Sequence, residues 1–566
     1  MNKYEELSIR RKNLQEEGLV PDWYTTGGLQ MFESKYEYDT NGRSVRAQFE
    51  RIASTAARHL KDSLLEKNAY EKFFELLWKG WLSPSTPVLA NMGTTRGMPV
   101  SCSGTVISDS VDSFYSNLHE VAMLTKHGFG TASDFSKIRP RGSSISIGGK
   151  ANGVVPVIKE HVNAMRNIAQ GTARRGAWAA YIDISHGDFF ELADHVLAEP
   201  DDMNIGWTIH QSFIDKLNAG DPDSIARFQR AMKIKMVTGK GYFFFVDKAN
   251  AKRPQTYKDL GLLINNSQLC SEIMLHNSDE LTYTCVLSSM NAAKSDEWIN
   301  TDAVFWATVF LDCVAQEFID RSEGVPGLEK ARAFTIKGRA LGLGLCGLHT
   351  LFMLKGLPFE SYEAHMLSQK IQAHIKVQAE MATLTMSDNL GEPEWCKGYN
   401  RRNTHLIAIA PTKSTALLMG GVSEGINPDP AMCYTQLTSA GEVDRLNPVL
   451  LDLMKTKGVY NKKNVQQITD KQGSVQHVEW LTDAEKQVFK TAFEINQKSV
   501  VRMASARGKY VDQWMSLNLF FAADEDPAWI AEVHKEAFED PNILALYYVY
   551  TQAGVQASKG ECEACM

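Results

Sequence analysis

Cysteines dominate the chemistry this chain could perform. Cys102 lies in PVSCSG, Cys270 in NNSQLCSEI and Cys285 in TYTCVLSS. The last five residues, CEACM, place Cys562 and Cys565 in a CxxC spacing. Just upstream, ILALYYVY carries the adjacent pair Tyr547 and Tyr548. Thiols can cycle between dithiol and disulfide, and a cysteine tail could recharge them. Paired tyrosines could carry an electron. Together these residues point to thiol-based radical chemistry. Glu272 lies two residues after Cys270, so in an extended loop both side chains face the same way. A thiol and a carboxylate presented together suit hydrogen-atom abstraction beside a general base.

Each of these residues also has an ordinary reading. A lone buried cysteine is most often a small hydrophobe. Cys102 and Cys285 are far apart in the chain, and sequence alone does not bring them together. A tyrosine pair is commonly core packing. The tail CxxC could be half a zinc site, but that needs a second ligand pair, and no other CxxC or close HxxxH exists. A dithiol shuttle on an accessible arm suits the tail better. PTKSTA (411–416) ends a strand-like run and can open a helix, where N–H groups bind phosphate. Its alternative is a plain helix cap. GLGLCG (342–347) satisfies GxGxxG but lacks a clear preceding strand and a ribose-binding acid about 20 residues on, so it is discounted as a dinucleotide motif.

The elements that would position these groups follow from periodicity. Residues 1–80 read as a helical N-terminal domain, with Val45, Phe49, Ile52, Ala53, Ala56 and Leu60 on one apolar face. WLSPSTPVLANMG breaks that pattern at Pro84 and Pro87. From 81 to 520, β-branched or apolar runs alternate with helical stretches. TVIS (105–108), GYFFFVD (241–247), YTCVLS (283–288) and LIAIAP (406–411) are strand candidates. Ala303–Phe318 and Tyr362–Leu390 read as helices. The alternation predicts an α/β fold with parallel strands, without deciding between barrel and open sheet. Residues 521–550 read as a helical segment, with Trp529, Ile530, Val533 and Ala537 on one face, followed by the tyrosine pair. Residues 551–566 have little to bury and read as a mobile redox tail.

Composition bounds the function. A chain of 566 residues can bury large cores. A net charge of −7 argues against non-specific nucleic-acid binding. No run of 18 apolar residues exists, so no transmembrane helix is expected. The start, MNKYEELSIRRKN, is no secretory signal. Nine thinly spread cysteines do not form a secreted disulfide framework, so a cytoplasmic location is expected.

Several separated segments stand in the order of one known family: SPSTPVLANMG, VSCSGTVISDS, LCSEI, TCVLSSMN, GRALGLGLCGLH, APTKSTA, MSLNLFF, LYYVYTQ and the tail CxxC. From about residue 20 onward the chain resembles the large, catalytic subunit of class I ribonucleotide reductases. The resemblance implies a ten-stranded α/β barrel whose central finger loop carries Cys270. It implies reduction of ribonucleoside diphosphates to deoxyribonucleotides. Cys270 would become a thiyl radical and remove the ribose 3′ hydrogen, while Glu272 takes the 3′-hydroxyl proton. Cys102 and Cys285 would reduce the 2′ carbon and become a disulfide. Cys562 and Cys565 would recharge it, served by thioredoxin or glutaredoxin. Tyr547 and Tyr548 would pass the radical from a metal-containing small (beta) subunit, so no metal or other cofactor binds this chain directly. Thr86, Ser101 and Pro411, Thr412, Lys413, Ser414 and Thr415 would hold the substrate.

The resemblance further implies a homodimer with nucleoside triphosphate effectors bound at Asp109, Ser110 and Arg139. IGGKANG (147–153) and GTARRGA (171–177), with Arg174 and Arg175, resemble the loops that link effector to substrate. The family pattern has Asn where this chain has Gln268; a longer amide is expected to hold the ribose hydroxyls. The helical region begins almost at residue 1, so an N-terminal ATP-cone is not expected. Two other readings stay open. A cobalamin-dependent class II reductase shares the barrel and cysteines, but the tyrosine pair argues against it. A non-catalytic nucleotide-binding regulator on this fold is opposed by the complete cysteine set.

Overall fold

Helices build the first part of the chain. The computed structural model describes residues 3–38, 44–170, 174–175, 177–438 and 441–552. Within it, α1 (Lys3–Glu16), α2 (Val45–Arg58) and α3 (Glu66–Trp78) precede the first strand. Ser44 caps α2 by accepting the Ala47 N–H. The apolar face read from sequence is the buried face: Val45, Phe49, Ile52, Ala53 and Ala56, with Leu60 just past the helix end. Pro84 closes β1 (Leu82–Pro84). Pro87 stands in the first turn of a short helix, Thr86–Asn91, where its missing N–H costs nothing.

The strands that follow are β2 (Cys102–Val106), β3 (Gly130–Asp134), β4 (Trp178–Asp183), β5 (Asn204–Ile209), β6 (Tyr242–Phe245), β7 (Tyr283–Asn291) and β8 (Leu341–Cys346). The last three are β9 (Leu519–Phe521), β10 (Ala545–Leu546) and β11 (Val549–Thr551). Nine of them form one sheet in the order β1-β7-β2-β3-β4-β5-β6-β10, with β8 also paired to β7. From β2 to β6 every neighbour is parallel, whereas β7 runs antiparallel to β1 and β2. Helices α4 (Val111–Lys126), α5 (Pro222–Thr238), α6 (Ala303–Arg321), α7 (Tyr362–Leu390), α8 (Lys413–Leu418) and α9 (Pro527–Glu539) are among the connections. Strands covered on both faces need no polar–apolar alternation. All nine residues of β7 are buried, Ser288, Ser289 and Asn291 included.

Two extended segments carry the sheet round into a ring. The N–H groups of Leu341 and Leu343 donate to the carbonyls of His405 and Leu406 at 2.9 and 2.8 Å. Gln513 N–H donates to Ile407 O at 3.1 Å, and Ile409 N–H to Trp514 O at 3.0 Å. Tyr547 N–H then donates to Leu517 O at 2.9 Å, beside β10 on β6. The fold is thus a helical domain followed by a curled-sheet α/β barrel. The expected strand at 406–411 serves as one of these extended segments, bridged to Met515 at Ile409. The expected strand at 105–108 lies earlier, at Cys102–Val106, because the small residues Ser103 and Gly104 pair with neighbours on both sides. GYFFFVD yields a strand only to Phe245, since Val246 opens a helix.

Gly342 and Gly344 explain GLGLCG. It is a strand in close contact with its neighbours, not a phosphate loop. A Cβ on Gly342 would lie 3.0 Å from Cys285 Sγ, and one on Gly344 would lie 2.7 Å from Ala408 O. Behind β8, Asp312 of α6 is a buried anion. Arg339 Nε donates to its Oδ1 at 2.8 Å, Arg402 Nε to its Oδ2 at 2.8 Å and Asn403 Nδ2 to its Oδ1 at 2.8 Å. Burial alone would raise this carboxyl; the two guanidiniums hold it well below the usual range. Removing the charge strands both cations. Asp312→Asn is expected to destabilise the protein by about 3–5 kcal/mol. A urea midpoint within error of the parent would contradict that role.

Candidate active site

Cys102 and Cys285 meet across the sheet. They are direct register partners in the antiparallel β2–β7 ladder. Such partners have Cα atoms ~4.5–5.5 Å apart, within the span of about 4.4–6.8 Å that a disulfide accepts. Both are buried, and burial pushes the Cys285 thiol far up. The pairing needs tertiary structure, because the two residues come from strands separated by most of the barrel.

Cys270 and Glu272 sit on residues 262–282, a segment without regular structure that enters the ring. A buried loop must find partners for its peptide groups. Met274 N–H donates to Gln513 Oε1 at 3.1 Å, Trp514 N–H donates to Glu272 O at 3.0 Å, and Ser516 Oγ donates to Cys270 O at 2.8 Å. From the other side Tyr181 Oη donates to Gln268 O at 2.7 Å. Ser271, between Cys270 and Glu272, adopts φ 66°, a left-handed conformation rather than the extended one.

Glu272 is fully buried, and burial raises its carboxyl from 4.5 to about 8. Ser516 Oγ donates to Oε2 at 3.2 Å, and Gln268 Nε2 donates to the same oxygen, while Oε1 has no hydrogen-bond partner. Gln268 Oε1 accepts the Cys270 N–H. Both ends of this amide therefore brace the loop, and Gln268 does not line the cleft described below.

The tyrosines reach the same loop. Tyr547 Oη lies 3.4 Å from Cys270 Sγ and can donate to it. The Tyr547 and Tyr548 ring centroids are 4.3 Å apart. Tyr242 of β6 packs on both, at 4.8 and 5.3 Å. Tyr550 packs on Tyr548 at 5.5 Å and stacks on Phe520. Lys235 of α5 donates to the Tyr547 carbonyl and, at 3.2 Å, to that of Gly241; burial pushes its ammonium down to about 7. Sequence reasoning missed Tyr242, Lys235, Gln513 and Ser516. Only Ser516 falls within a quoted family segment, MSLNLFF, where it has no assigned role; the positions of all four come from contacts across the barrel.

Thr86, Ser101, Cys102, Glu272, Pro411, Thr412 and Thr415 line one cleft. Ser83, Ser85, Ser288 and Ser289 also line it, four hydroxyls the sequence did not single out. Thr412, at φ 59°, precedes α8, and its Oγ1 accepts the Gly425 N–H at 2.8 Å. Lys413 and Ser414 start α8 without lining the cleft.

Asp109, Ser110 and Arg139 form a separate group. Asp109 Oδ2 pairs with Arg139 Nε at 2.5 Å, Arg139 Nη1 donates to Ser144 O at 2.8 Å, and Ser110 caps α4. IGGKANG follows, with Lys150 bridged to Ser144. In GTARRGA the backbone of Arg174–Arg175 pairs with Ala169–Gln170. The side chains of Arg174 and Arg175, and Gly171 to Ala173 and Gly176, lie outside the described residues, as do Cys562 and Cys565.

Comparison with known proteins bears on this arrangement. Residues 22–97 match the family model "Ribonucleotide reductase, all-alpha domain", and 100–226, 223–401 and 394–549 match "Ribonucleotide reductase, barrel domain". A solved structure, the Actinobacillus ureae class Id ribonucleotide reductase alpha subunit, superposes with a TM-score of 0.86. It is 35% identical, over 94% of this chain and 98% of its own. A ribonucleoside-diphosphate reductase large subunit of Invertebrate iridescent virus 3 is 27% identical over 600 residues, covering 92% of each chain. A relative from Frog virus 3 (isolate Goorha) is 32% identical over 528 residues, covering 88% of this chain and 92% of its own. The chain belongs to the family of class I ribonucleotide reductase large subunits, the alpha subunits of ribonucleoside-diphosphate reductase.

Proposed function

We propose that radical transfer into this subunit runs through Tyr548 and Tyr547 to Cys270, and that Cys270 starts reduction of a ribonucleoside diphosphate. The contact of Tyr547 Oη with Cys270 Sγ carries this reading, because it joins an aromatic pair directly to the sulfur of Cys270. A metal-containing small subunit supplies the oxidising equivalent at the outer end. The large-subunit relationship implies such a partner, and the tyrosine pair favours it over cobalamin.

The Cys270 radical takes the 3′ hydrogen of the ribose. Glu272, which lines the cleft and whose Oε1 has no hydrogen-bond partner, accepts the 3′-hydroxyl proton. The 2′ hydroxyl leaves as water. Cys102 and Cys285 supply two electrons and two protons and become a disulfide, and the 3′ hydrogen returns from Cys270. Thr86, Ser101 and Pro411 to Thr415 hold the substrate, with the diphosphate at the start of α8. Gln268 aligns Cys270 and Glu272, and the ribose hydroxyls exchange with its internal bonds. Cys562 and Cys565 re-reduce the pair and are recharged by thioredoxin or glutaredoxin.

Effector nucleoside triphosphates bind by Asp109, Ser110 and Arg139 at a homodimer interface. Val111 and Tyr115 support this, since they expose 69% and 61% of their surface on α4 beside those residues. No described helix is long and apolar enough to cross a membrane. A cytoplasmic location fits a chain that depends on reduced thiols.

Tyr547→Phe removes only the hydroxyl. It is expected to abolish turnover with the small subunit while leaving the fold and nucleotide binding intact; turnover above about 10% of the parent rate would end the relay assignment. For Glu272, the raised value means that its contribution to stability is complete below about pH 4.5 and is lost as pH rises through about 8. Glu272→Gln should therefore gain stability relative to the parent between pH 7 and 9, and lose roughly 10²–10⁴-fold in kcat. The parent's kcat/KM should rise with an inflection near 8 that the variant lacks; a shared inflection would place the base elsewhere. The double variant Cys562→Ser, Cys565→Ser should complete about one round with thioredoxin and stall, and a small dithiol should restore cycling. Unimpaired thioredoxin cycling would rule out the shuttle.

A further inference from the structure

The two sulfurs of the cross-strand pair have different surroundings. Cys102 lines the substrate cleft together with Ser101 and Glu272. Cys285 does not line it. It lies behind, against β8, where a Cβ on Gly342 would come within 3.0 Å of its sulfur, and it packs among Leu287, Ala408 and Tyr257. Gln513 Nε2 donates to Cys285 Sγ at 3.4 Å. A second donor, the Val286 backbone N–H, acts on the same thiol.

The orientation of the Gln513 amide is determined by its other contacts. Oε1 accepts the Met274 N–H at 3.1 Å, and Nε2 also donates to Leu341 O at 2.9 Å. Flipping the amide would put its oxygen against the Leu341 carbonyl and its nitrogen against the Met274 N–H. The N–H that faces the sulfur therefore cannot turn into an acceptor. The side chain is fully buried, so water does not compete for that N–H.

Thiol–disulfide exchange proceeds in line: the incoming thiolate, the sulfur attacked and the leaving sulfur lie on one axis. Access and the stability of the leaving thiolate decide which sulfur is attacked. We infer that, when the oxidised pair is regenerated, the incoming thiolate attacks Cys102 from the cleft and Cys285 departs as a thiolate held by Gln513. This direction rests on the reading of Cys102 and Cys285 as the redox pair. The incoming sulfur bonds to Cys102 Sγ as the Cys102–Cys285 bond breaks, and the electron pair goes to Cys285. The donor's second thiol then closes the donor's own disulfide and releases Cys102. Two protons restore both thiols, and both electrons come from the dithiol. Burial, which makes an unsupported Cys285 thiolate costly, is the reason the donor amide matters.

The site of attack can be read directly, without the tail. Full-length Cys562→Ser, Cys565→Ser protein, assembled with its small subunit, is carried through one turnover on a ribonucleoside diphosphate and treated briefly with 2-mercaptoethanol. Acid quenching, denaturation, maleimide alkylation and peptide mass mapping follow. The expected product carries mercaptoethanol on Cys102 and maleimide on Cys285. Mercaptoethanol on Cys285, or on both equally, overturns the direction. Finding no Cys102–Cys285 disulfide after turnover overturns the pair assignment, and the direction with it. Gln513→Glu keeps an acceptor for Met274 N–H but removes the donor to sulfur. In the same background it should slow opening of the disulfide by mercaptoethanol about tenfold or more, with attack still at Cys102. An unchanged opening rate in that variant would show that Gln513 only packs.

Discussion

A loop buried inside a barrel must have every peptide group paired, and this requirement organises the centre of the molecule. The loop at 262–282 cannot use a sheet ladder. Around Cys270 to Met274, three of its backbone groups are paired by one neighbouring stretch, 512–518. Gln513 takes the Met274 N–H, Trp514 gives its N–H to Glu272 O, and Ser516 gives its hydroxyl to Cys270 O and Glu272 Oε2. The same stretch touches Cys285 through Gln513 and the tyrosine pair through Leu517 O and Asn518 Oδ1. It is held in turn by Asp512, which accepts the N–H groups of Leu406 and Ile407 at 2.8 Å each. One short segment thus contacts Cys270, Glu272, Cys285 and the tyrosine pair.

Three buried acids show how surroundings assign different tasks to similar groups. Asp312 faces two guanidiniums and is held as an anion, so it serves as a structural tie. Asp512 has two backbone N–H groups and the more distant charge of Arg401 against its burial and is raised to about 6. Glu272 has a hydroxyl and an amide, lines the cleft and is raised to about 8. A carboxyl in that last state is neutral in the resting protein and close enough to neutrality to exchange a proton during turnover. Lys235, pushed down to about 7 beside the Tyr547 carbonyl, gives the relay end of the site a second group near neutrality.

The meeting of Cys102 and Cys285 depends on register. A one-residue slip between β2 and β7 would turn Cys102 and Cys285 to opposite faces. The tight packing of β8 on β7, which tolerates only glycine at 342, opposes such a slip and closes over the Cys285 sulfur. Close packing therefore does chemical work here, by leaving one sulfur accessible and the other enclosed.

Much was already determined by sequence. Helical periodicity at 45–60 marked the face that the N-terminal helices bury, because a 3.6-residue repeat is local. The cysteines, Glu272, the tyrosine pair and PTKSTA were legible as chemical types in a family order. Strand limits were less legible, because β2, β7 and β8 are covered on both faces and carry serine, asparagine and glycine where an alternating pattern would be expected. Tertiary structure alone decided that Cys102 opposes Cys285, that Gln268 is engaged within its own loop, and that Tyr242, Lys235, Gln513 and Ser516 surround the reacting groups. Apart from Ser516 in MSLNLFF, those residues carry no motif. Their roles follow from hydrogen bonds between segments far apart in the chain, and only closing the barrel makes these contacts.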